Sequence, residues 1–460
     1  LLNWLKTAKT KAMNIVIVGA GDVGSYISQL LSQEQHNVIV IDKDKRRLEA
    51  LSQNFDIATR AGSGTDWQLL DDLIELTPDV FIALTDSEET NLAACSIAKH
   101  LGYPLTICRV RGSKFLNRTR LDFGRIFDID YFLSPELLVA QDIVKYIDSE
   151  GAVAVEHFAH GAVQLRTLLI PPKWDQAQIP LYKLKLPEGM MVGLIYRAEP
   201  QPQVIFPHGN DVLQPGDEAT FIGEADAIED LQKIMGEKSH PIQSVVIVGA
   251  TLTGMHLARL LDRRNLNVRL IEKEYEKCVE LSDQLPGITI LHHDATDADF
   301  LRSEKIELAD LVVACTRHDE VNLLVAQLCK EFDCRDVLAV LSNASFAPLL
   351  NRYGIRHVSS PRLSAANRIL SHLYTGTVTS LISLYDNKAE VLELMVSADS
   401  RIVGIPIGEL GPLLPRDFLI AMIQNRGRIM VANGNRIVSP GDTVIVITSP
   451  QHVSELETIF

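Results

Sequence analysis

The chain is written twice. Asn14–Gly24 (NIVIVGAGDVG) is answered by Ser244–Gly254 (SVVIVGATLTG). Gly19 and Gly249 stand 230 positions apart, as do the acids Asp42 and Glu272; Asn91 and Asn322 are 231 apart, as are Phe115 and Phe346. Ser134-Pro135 returns as Ser360-Pro361, and Pro215-Gly216-Asp217 as Pro440-Gly441-Asp442. Markers in unchanged order at nearly constant spacing define a tandem repeat. Whatever architecture one half adopts, the other must share.

Within each half the hydrophobic period changes partway. Residues 14–18, 38–42, 80–84 and 105–110 are short Ile- and Val-rich runs, separated by amphipathic stretches of helical length at 23–34, 44–53 and 88–101. Such alternation predicts parallel βαβ units whose strands are covered on both faces. Residues 244–343 repeat the scheme. A Ser-Pro then opens a helical stretch (136–149, 361–373), and alternating β segments richer in Pro and Gly follow. In Gln214–Asp217 and Ser439–Asp442 a Pro-Gly pair suits a tight turn, before the apolar strands Ala219–Ile222 and Thr443–Ile447. The expected fold class is therefore α/β, with tandem Rossmann-like parallel-sheet domains, each followed by a small α+β domain. The expected boundaries are 13–133 and 151–236 in the first half, 242–359 and 377–460 in the second, with Gly236–Pro241 as linker.

Composition narrows the function. Lysine and arginine number 44 against 59 aspartates and glutamates, a formal charge of −15. Nucleic acid and anionic lipid both select basic surfaces and are disfavoured as partners. No run approaches the roughly 18–20 apolar residues that span a bilayer, so no direct membrane insertion is expected. Leu1–Ala12 is too poor in apolar residues for a secretory leader. Met13 stands directly before the first strand as a second start, and residues 1–12 are given no part in the fold. The six cysteines form no CxxC pair and read as reduced core thiols of a cytoplasmic protein.

Gly19-Ala20-Gly21-Asp22-Val23-Gly24 follows a strand and opens a helix, the context that gives a GxGxxG motif its meaning. Gly19 permits the sharp turn, Gly21 lets backbone approach a pyrophosphate, and Gly24 lets helix and strand pack closely. The helix N-terminus offers unpaired N–H groups to phosphate. Asp42 ends the second strand, 18 residues after Gly24, where a carboxylate accepts hydrogen bonds from ribose hydroxyls. An acid there favours NAD(H) or adenosine nucleotides over NADP. Gly62, past the third strand, and Thr85 and Asp86, at the end of the fourth, fall where ligands sit in this class of sheet. Arg109 and Arg111 share a face of the fifth strand; pairing with phosphate and an ordinary salt bridge or subunit contact stand as equal alternatives.

The second half departs from this pattern. Gly21 becomes Thr251, whose branched side chain occupies the space of a pyrophosphate, and Arg109 and Arg111 become Val340 and Ser342. Gly249, Glu272 and Asp294 remain as candidate ligand residues. Cradle and counter-charge are expected to weaken together, so a mononucleotide or no ligand ranks above a dinucleotide. The neighbours His292 and His293 alternate across a strand and do not make a metal site.

With these residues in view the chain resembles the TrkA family of duplicated RCK (KTN plus C-terminal) proteins. The resemblance rests on Val16–Gly24, Val40–Asp42, Ala83–Leu92 (ALTDSEETNL), Ser134–Glu136 and Met430–Asp442 (MVANGNRIVSPGD). It covers nearly everything after residue 13. It implies NAD(H) and ATP or ADP as ligands, with Gly19, Gly21 and Gly24 at the phosphates and Asp42 at the ribose. Gly62, Asp86 and Arg109 would lie near them. It further implies a ring, a homotetramer of duplicated chains, beneath a membrane-embedded potassium translocation subunit of Trk type. The competing expectation, an NAD-dependent oxidoreductase, lacks support, because no His, Lys or Tyr set presents itself as a proton donor or acceptor.

Overall fold

A computed structural model of the chain describes residues 12–117, 120–149, 154–198, 200–231, 235, 241–343, 346, 349–350, 353–355, 357–373, 378–385, 388–415 and 417–460. Residues 1–11 and, apart from Pro241, the expected linker lie outside the described residues.

In the first half, four-residue and five-residue apolar runs form strands because both their faces are covered, leaving no need for polar alternation. β1 (Asn14–Val18), β2 (Asn37–Asp42), β3 (Ala58–Ala61), β4 (Val80–Ala83), β5 (Leu105–Arg109) and β6 (Tyr131–Leu133) make one sheet in the order β3-β2-β1-β4-β5-β6. All of its pairings are parallel. Helices α1 (Asp22–Gln33), α2 (Lys45–Asn54), α3 (Trp67–Ile74) and α4 (Glu88–Leu101) connect the first five strands. Each stops where its chemistry changes: α4 starts at the Ser87 cap and ends at Gly102 in the left-handed conformation. Val16, Val18, Phe81 and Ala83 pack with Leu92, Cys95 and Ala98 of α4 in a single core.

A small antiparallel domain comes next, with β7 (Ala154–Phe158), β8 (Val163–Leu169), β9 (Met190–Arg197), β10 (Gln203–Ile205) and β11 (Glu218–Glu224) in the order β10-β9-β11-β8-β7. The second half then repeats both sheets. β12 (Ser244–Val248), β13 (Asn267–Glu272), β14 (Thr289–His292), β15 (Leu311–Ala314), β16 (Asp336–Val340) and β17 (His357–Ser359) are ordered β14-β13-β12-β15-β16-β17. β18 (Val378–Leu384), β19 (Ala389–Met395), β20 (Phe418–Asn425), β21 (Arg428–Val431) and β22 (Thr443–Thr448) are ordered β18-β19-β22-β20-β21. Strand for strand, each sheet reproduces its counterpart.

The turns before β11 and β22 follow their residues. Gly216 and Gly441 take positive φ (+88° and +80°), which a proline-led turn demands at its third residue. The amides of Asp217 and Asp442 close the turns onto Gln214 and Ser439 carbonyls at 3.0 and 3.1 Å.

The described residues gather into two compact units. One holds both Rossmann-like sheets (11–144 and 242–369). In it the two Pro-initiated helices, Pro135–Asp148 and Pro361–Leu373, are bridged by Ser364 Oγ donating to Asp142 at 2.9 Å. The other holds the two antiparallel sheets (145–241 and 370–460), whose side chains mix in one core: Phe158, Leu165, Leu194 and Ile222 with Val391, Met422 and Ile447. The approach is close enough that a Cβ on Gly193 would lie 2.4 Å from Ile447 Cδ1. No helix among the described residues is long and apolar enough to cross a membrane.

Candidate nucleotide site

The first cavity lies at the carboxyl ends of β1, β2 and β4, about where a parallel sheet with this strand order reverses direction. Its volume is ≈ 260 Å³, and Gly19, Gly21, Asp42, Gly62, Thr85 and Asp86 all line it. Gly19 has φ +107°, and a Cβ there would meet the Thr85 amide nitrogen at 2.9 Å. Only glycine satisfies both conditions. Gly24 is covered, since its Cβ would fall 1.9 Å from the Gly19 carbonyl oxygen, so it sets the helix-to-strand packing. Ala20, Asp22, Val23 and Gly24 do not themselves line the cavity; they shape the loop around it.

Gly21 is the informative position. It is the N-cap of α1, and no side chain caps that helix. A Cβ on Gly21 would meet nothing nearer than Arg47 Nη1 at 3.8 Å. The backbone thus leaves open space over uncapped helix N–H groups, which carry partial positive charge. Asp42 has its own backbone duties: its carboxylate accepts the Ala20 amide at 2.6 Å and the Asp44 amide at 2.8 Å. It staples the glycine loop to the end of β2, and each oxygen retains a lone pair for a sugar hydroxyl.

Of the two alternatives for Arg109, the structure shows the salt bridge. Its side chain does not line the cavity but is buried in an ion pair with Glu136 at 2.9 Å, with Asp86 at 3.5 Å. Arg111 joins Asp86 at 2.6 Å. Two neighbouring acids, Asp86 at the cavity and Glu136 at the start of the Pro135–Asp148 helix, pair with the guanidinium groups. The cations at the cavity are Lys43 and Arg47, which the sequence reading passed over. Their signal was available: both recur as basic residues at the 230 spacing, Lys273 and Lys277.

The second cavity, ≈ 240 Å³, is lined by Gly249, Glu272 and Asp294 together with Thr251, Lys273, Lys277, His293, Thr316, Arg317 and His318. Glu272 repeats the staple, accepting the Ala250 amide at 2.8 Å and the Glu274 amide at 2.9 Å. The Thr296 amide and hydroxyl hold the Asp294 carboxyl below its ordinary range. Thr251 behaves differently from Gly21. Its hydroxyl donates to the Cys315 carbonyl at 2.7 Å and accepts from the Gly254 amide at 3.3 Å, capping the helix Leu252–Asp262. A donor left open in the first half is therefore consumed in the second. Val340 and Ser342 replace Arg109 and Arg111 here, yet Lys273, Lys277 and Arg317 line the second cavity, so it keeps positive charge.

The two histidines separate as expected. His292 Nε2 meets the Lys273 carbonyl at 3.1 Å, whereas His293 pairs with Asp297 at 2.9 Å and stacks on Phe300. Among the described residues no cluster of potential ligands could hold a metal ion. All six cysteines are buried and free.

Two Rossmann-like domains in tandem, each with a glycine loop, a stapling acid and a cavity at the switch point, and each followed by a small antiparallel domain, define a duplicated nucleotide-binding fold. The TrkA-N domain family matches residues 15–124 and 245–361, and the TrkA-C domain family matches 177–236 and 391–460. The chain belongs to the TrkA family. It is 31% identical over 460 residues to the Trk system potassium uptake protein TrkA of Halomonas elongata, covering 97% of this chain and 98% of that protein. It is 30% identical over 456 residues to TrkA homolog 1 of Methanosarcina mazei, covering 97% of this chain and all of that protein. Among solved structures it is similar to the GsuK RCK domain (TM-score 0.62, 19% identity, 98% of this chain and 97% of that one). It is equally similar to the GsuK channel bound to NAD (TM-score 0.62, 17% identity, 100% and 81%), a likeness of fold. The relatives bear the names of potassium uptake proteins, and the structures those of an RCK domain and a channel.

Proposed function

We propose that this chain is a cytosolic regulatory subunit of a Trk-type potassium uptake system, reading adenine nucleotide, NAD(H) or ATP and ADP, in its first cavity. The observation that carries the reading is the contrast at Gly21. An uncapped helix N-terminus faces open space at a residue whose missing side chain a ligand would replace. The residues fit the ligand's chemistry. Amides of the glycine loop and the Lys43 and Arg47 cations would hold phosphate, and Asp42 would accept ribose hydroxyls. The relatives' names, potassium uptake proteins of Trk systems, supply the physiological setting.

In this reading the bound nucleotide supplies charge and surface that favour one conformation over another; no bond is made or broken. Moving an equilibrium from 1:99 to 99:1 requires a differential affinity of about 5.5 kcal/mol. Several coupled sites in a homotetrameric ring would share that requirement, and the ring would act on a membrane-embedded potassium translocation subunit. In the second cavity Thr251 removes one phosphate donor, so a mononucleotide ranks above a dinucleotide there.

The test is calorimetric titration of the full chain with NADH, NAD, ATP and ADP, beside Gly21→Thr. The expected outcome is binding by the wild type and loss of tight NADH binding in the variant, with unfolding unchanged. Unchanged affinity in Gly21→Thr would refute the site. Growth of a deletion strain at limiting potassium, with and without the chain, tests the physiological role.

A further inference from the structure

The glycine loop beside the first cavity receives a side chain from the other half of the molecule. Arg362, the second residue of the helix Pro361–Leu373, reaches across the Rossmann-like pair and places its guanidinium 3.2 Å from the Asp22 carboxylate. Asp22 is the first residue of α1, directly after Gly21, so Arg362 stands at the mouth of the uncapped helix terminus. Within this unit no other arginine pairs with a residue of the first glycine loop among the described ion pairs.

The contact is not explained as a brace. Asp22 is 78% exposed and the Arg362 side chain 26%, and ion pairs this open contribute little to stability. Arginine in the first turn of its own helix also opposes the helix dipole, which favours acids there. The matching helix of the first half has such an acid, Glu136. Furthermore Arg362 has donors to spare: its Nε is buried and has no hydrogen-bond partner among the described residues. A guanidinium presents five N–H donors in a fork suited to phosphate. A terminal phosphate, carrying more charge than one carboxylate and offering three acceptor oxygens, would displace Asp22 from it.

The second glycine loop has different neighbours. Leu252 stands at the position of Asp22 and Glu136 at that of Arg362, and Glu136 lies near enough to His256, on the helix Leu252–Asp262, to act on its charge. The half-to-half contact therefore sets a cation beside the first glycine loop and an acid near the helix that follows the second.

We propose that Arg362 is a specificity-determining residue of the first cavity, donated by the second half, which favours nucleotides ending in a free phosphate over dinucleotides. A dinucleotide buries its diphosphate between two nucleosides and has no terminal phosphate to offer; ATP does. This selectivity rests on the reading of the first cavity as an adenine-nucleotide site. Asp22 is the resident competitor, and each ATP bound exchanges an intramolecular ion pair for a contact between ligand and second half.

The experiment is calorimetric titration of the full chain, as wild type, Arg362→Gln, Arg362→Lys and Asp22→Asn, with ATP and separately with NADH. Arg362→Gln is expected to weaken ATP about tenfold while leaving NADH within about twofold. Arg362→Lys should restore part of the loss, because charge persists without the fork. Asp22→Asn should tighten ATP by removing the competitor. Equal losses for both ligands in Arg362→Gln, or no change in either, would overturn the proposal while sparing the site. A wild type that binds neither ligand overturns the site reading and the proposal with it. Should Arg362→Gln not fold, Asp22→Asn decides: ATP affinity no better than wild type counts against the competition.

Discussion

Asn91 and Asn322 hold the same four hydrogen bonds in the two halves. Asn91 Oδ1 accepts from the Thr85 amide (3.0 Å) and hydroxyl (2.6 Å), while its Nδ2 donates to the carbonyls of Thr85 (2.9 Å) and Arg109 (3.0 Å). Asn322 repeats this with Thr316 at 2.8, 2.7 and 3.1 Å and with Val340 at 2.8 Å. Both amides are buried, and each ties the chain leaving one strand to the end of the next. Thr85 and Thr316, which line the two cavities, owe their positions to this amide.

Replacing Asn91 with Ala would leave buried amide and carbonyl groups without partners, at about 1–3 kcal/mol for each group exposed to that loss. The first transition in urea unfolding of the full chain should move by about 3 kcal/mol, and Asn322→Ala should cost as much. A loss below about 1 kcal/mol for either would contradict the assigned network.

Gly24 and Gly21 separate packing from binding. A methyl group on Gly24 would lie 1.9 Å from a backbone oxygen, and on Gly254 2.1 Å, so Gly24→Ala and Gly254→Ala should each displace a glycine loop and unfold at markedly lower urea. Gly21→Ala has open space and should cost under about 1 kcal/mol, within the usual range for an N-cap change. Circular dichroism during urea titration makes the comparison. Equal destabilisation by the alanines at positions 21 and 24 would show the loop to be packed otherwise.

The Pro-Gly-Asp turns differ in what their acids hold. Asp217 receives a two-pronged contact from Arg197 at 2.8 and 2.7 Å, whereas Asp442 receives the Asn425 amide at 2.5 Å and the Ser439 amide at 2.9 Å. Removing the partner of a mostly buried arginine costs more than removing a neutral bond. Asp217→Ala should therefore lose about 3 kcal/mol and Asp442→Ala about 1 to 2, by chemical denaturation.

Acid should loosen the chain before its carboxylates titrate. Burial lowers the pKa of His256 against the raising effect of its bond to the Arg111 carbonyl, and burial likewise lowers His36 and His157. A histidine depressed in the folded state contributes fully above its unfolded pKa, about 6.5. As pH falls below that value the unfolded chain takes up a proton that the folded chain refuses, so stability declines until the folded pKa is passed. Denaturation midpoints should fall between pH 7 and pH 5, and His256→Gln should flatten the slope. An identical slope in that variant would remove His256 from the account.

The repeat made the architecture legible, because two independent copies of each marker had to fit one sheet. Helix 88–101 and the helix 361–373 were readable to the residue, since the Ser87 cap and Gly102 bound the first and Pro361 opens the second. The sites were read less completely. Strand alternation correctly put Arg109 and Arg111 on one face, but alternation carries no information about Glu136 and Asp86, the acids that capture them. Thr251 was expected to obstruct, whereas its main action is to satisfy the Gly254 amide and the Cys315 carbonyl, bonds that depend on tertiary distance. Arg362 could not be read at all, because nothing local links it to Asp22 across 340 positions.

In a symmetric pair of identical repeats, any residue placed at position 136 would appear in both partners at once. Arginine there would equip each glycine loop from across the interface but would strip Arg109 of its acid. Fusing the copies into one polypeptide dissolves that conflict: Glu136 serves Arg109 on one side, while on the other, where Val340 has no charge to answer, the same position is released to become Arg362. Covalent linkage thus lets two ancestral twins specialise in complementary directions.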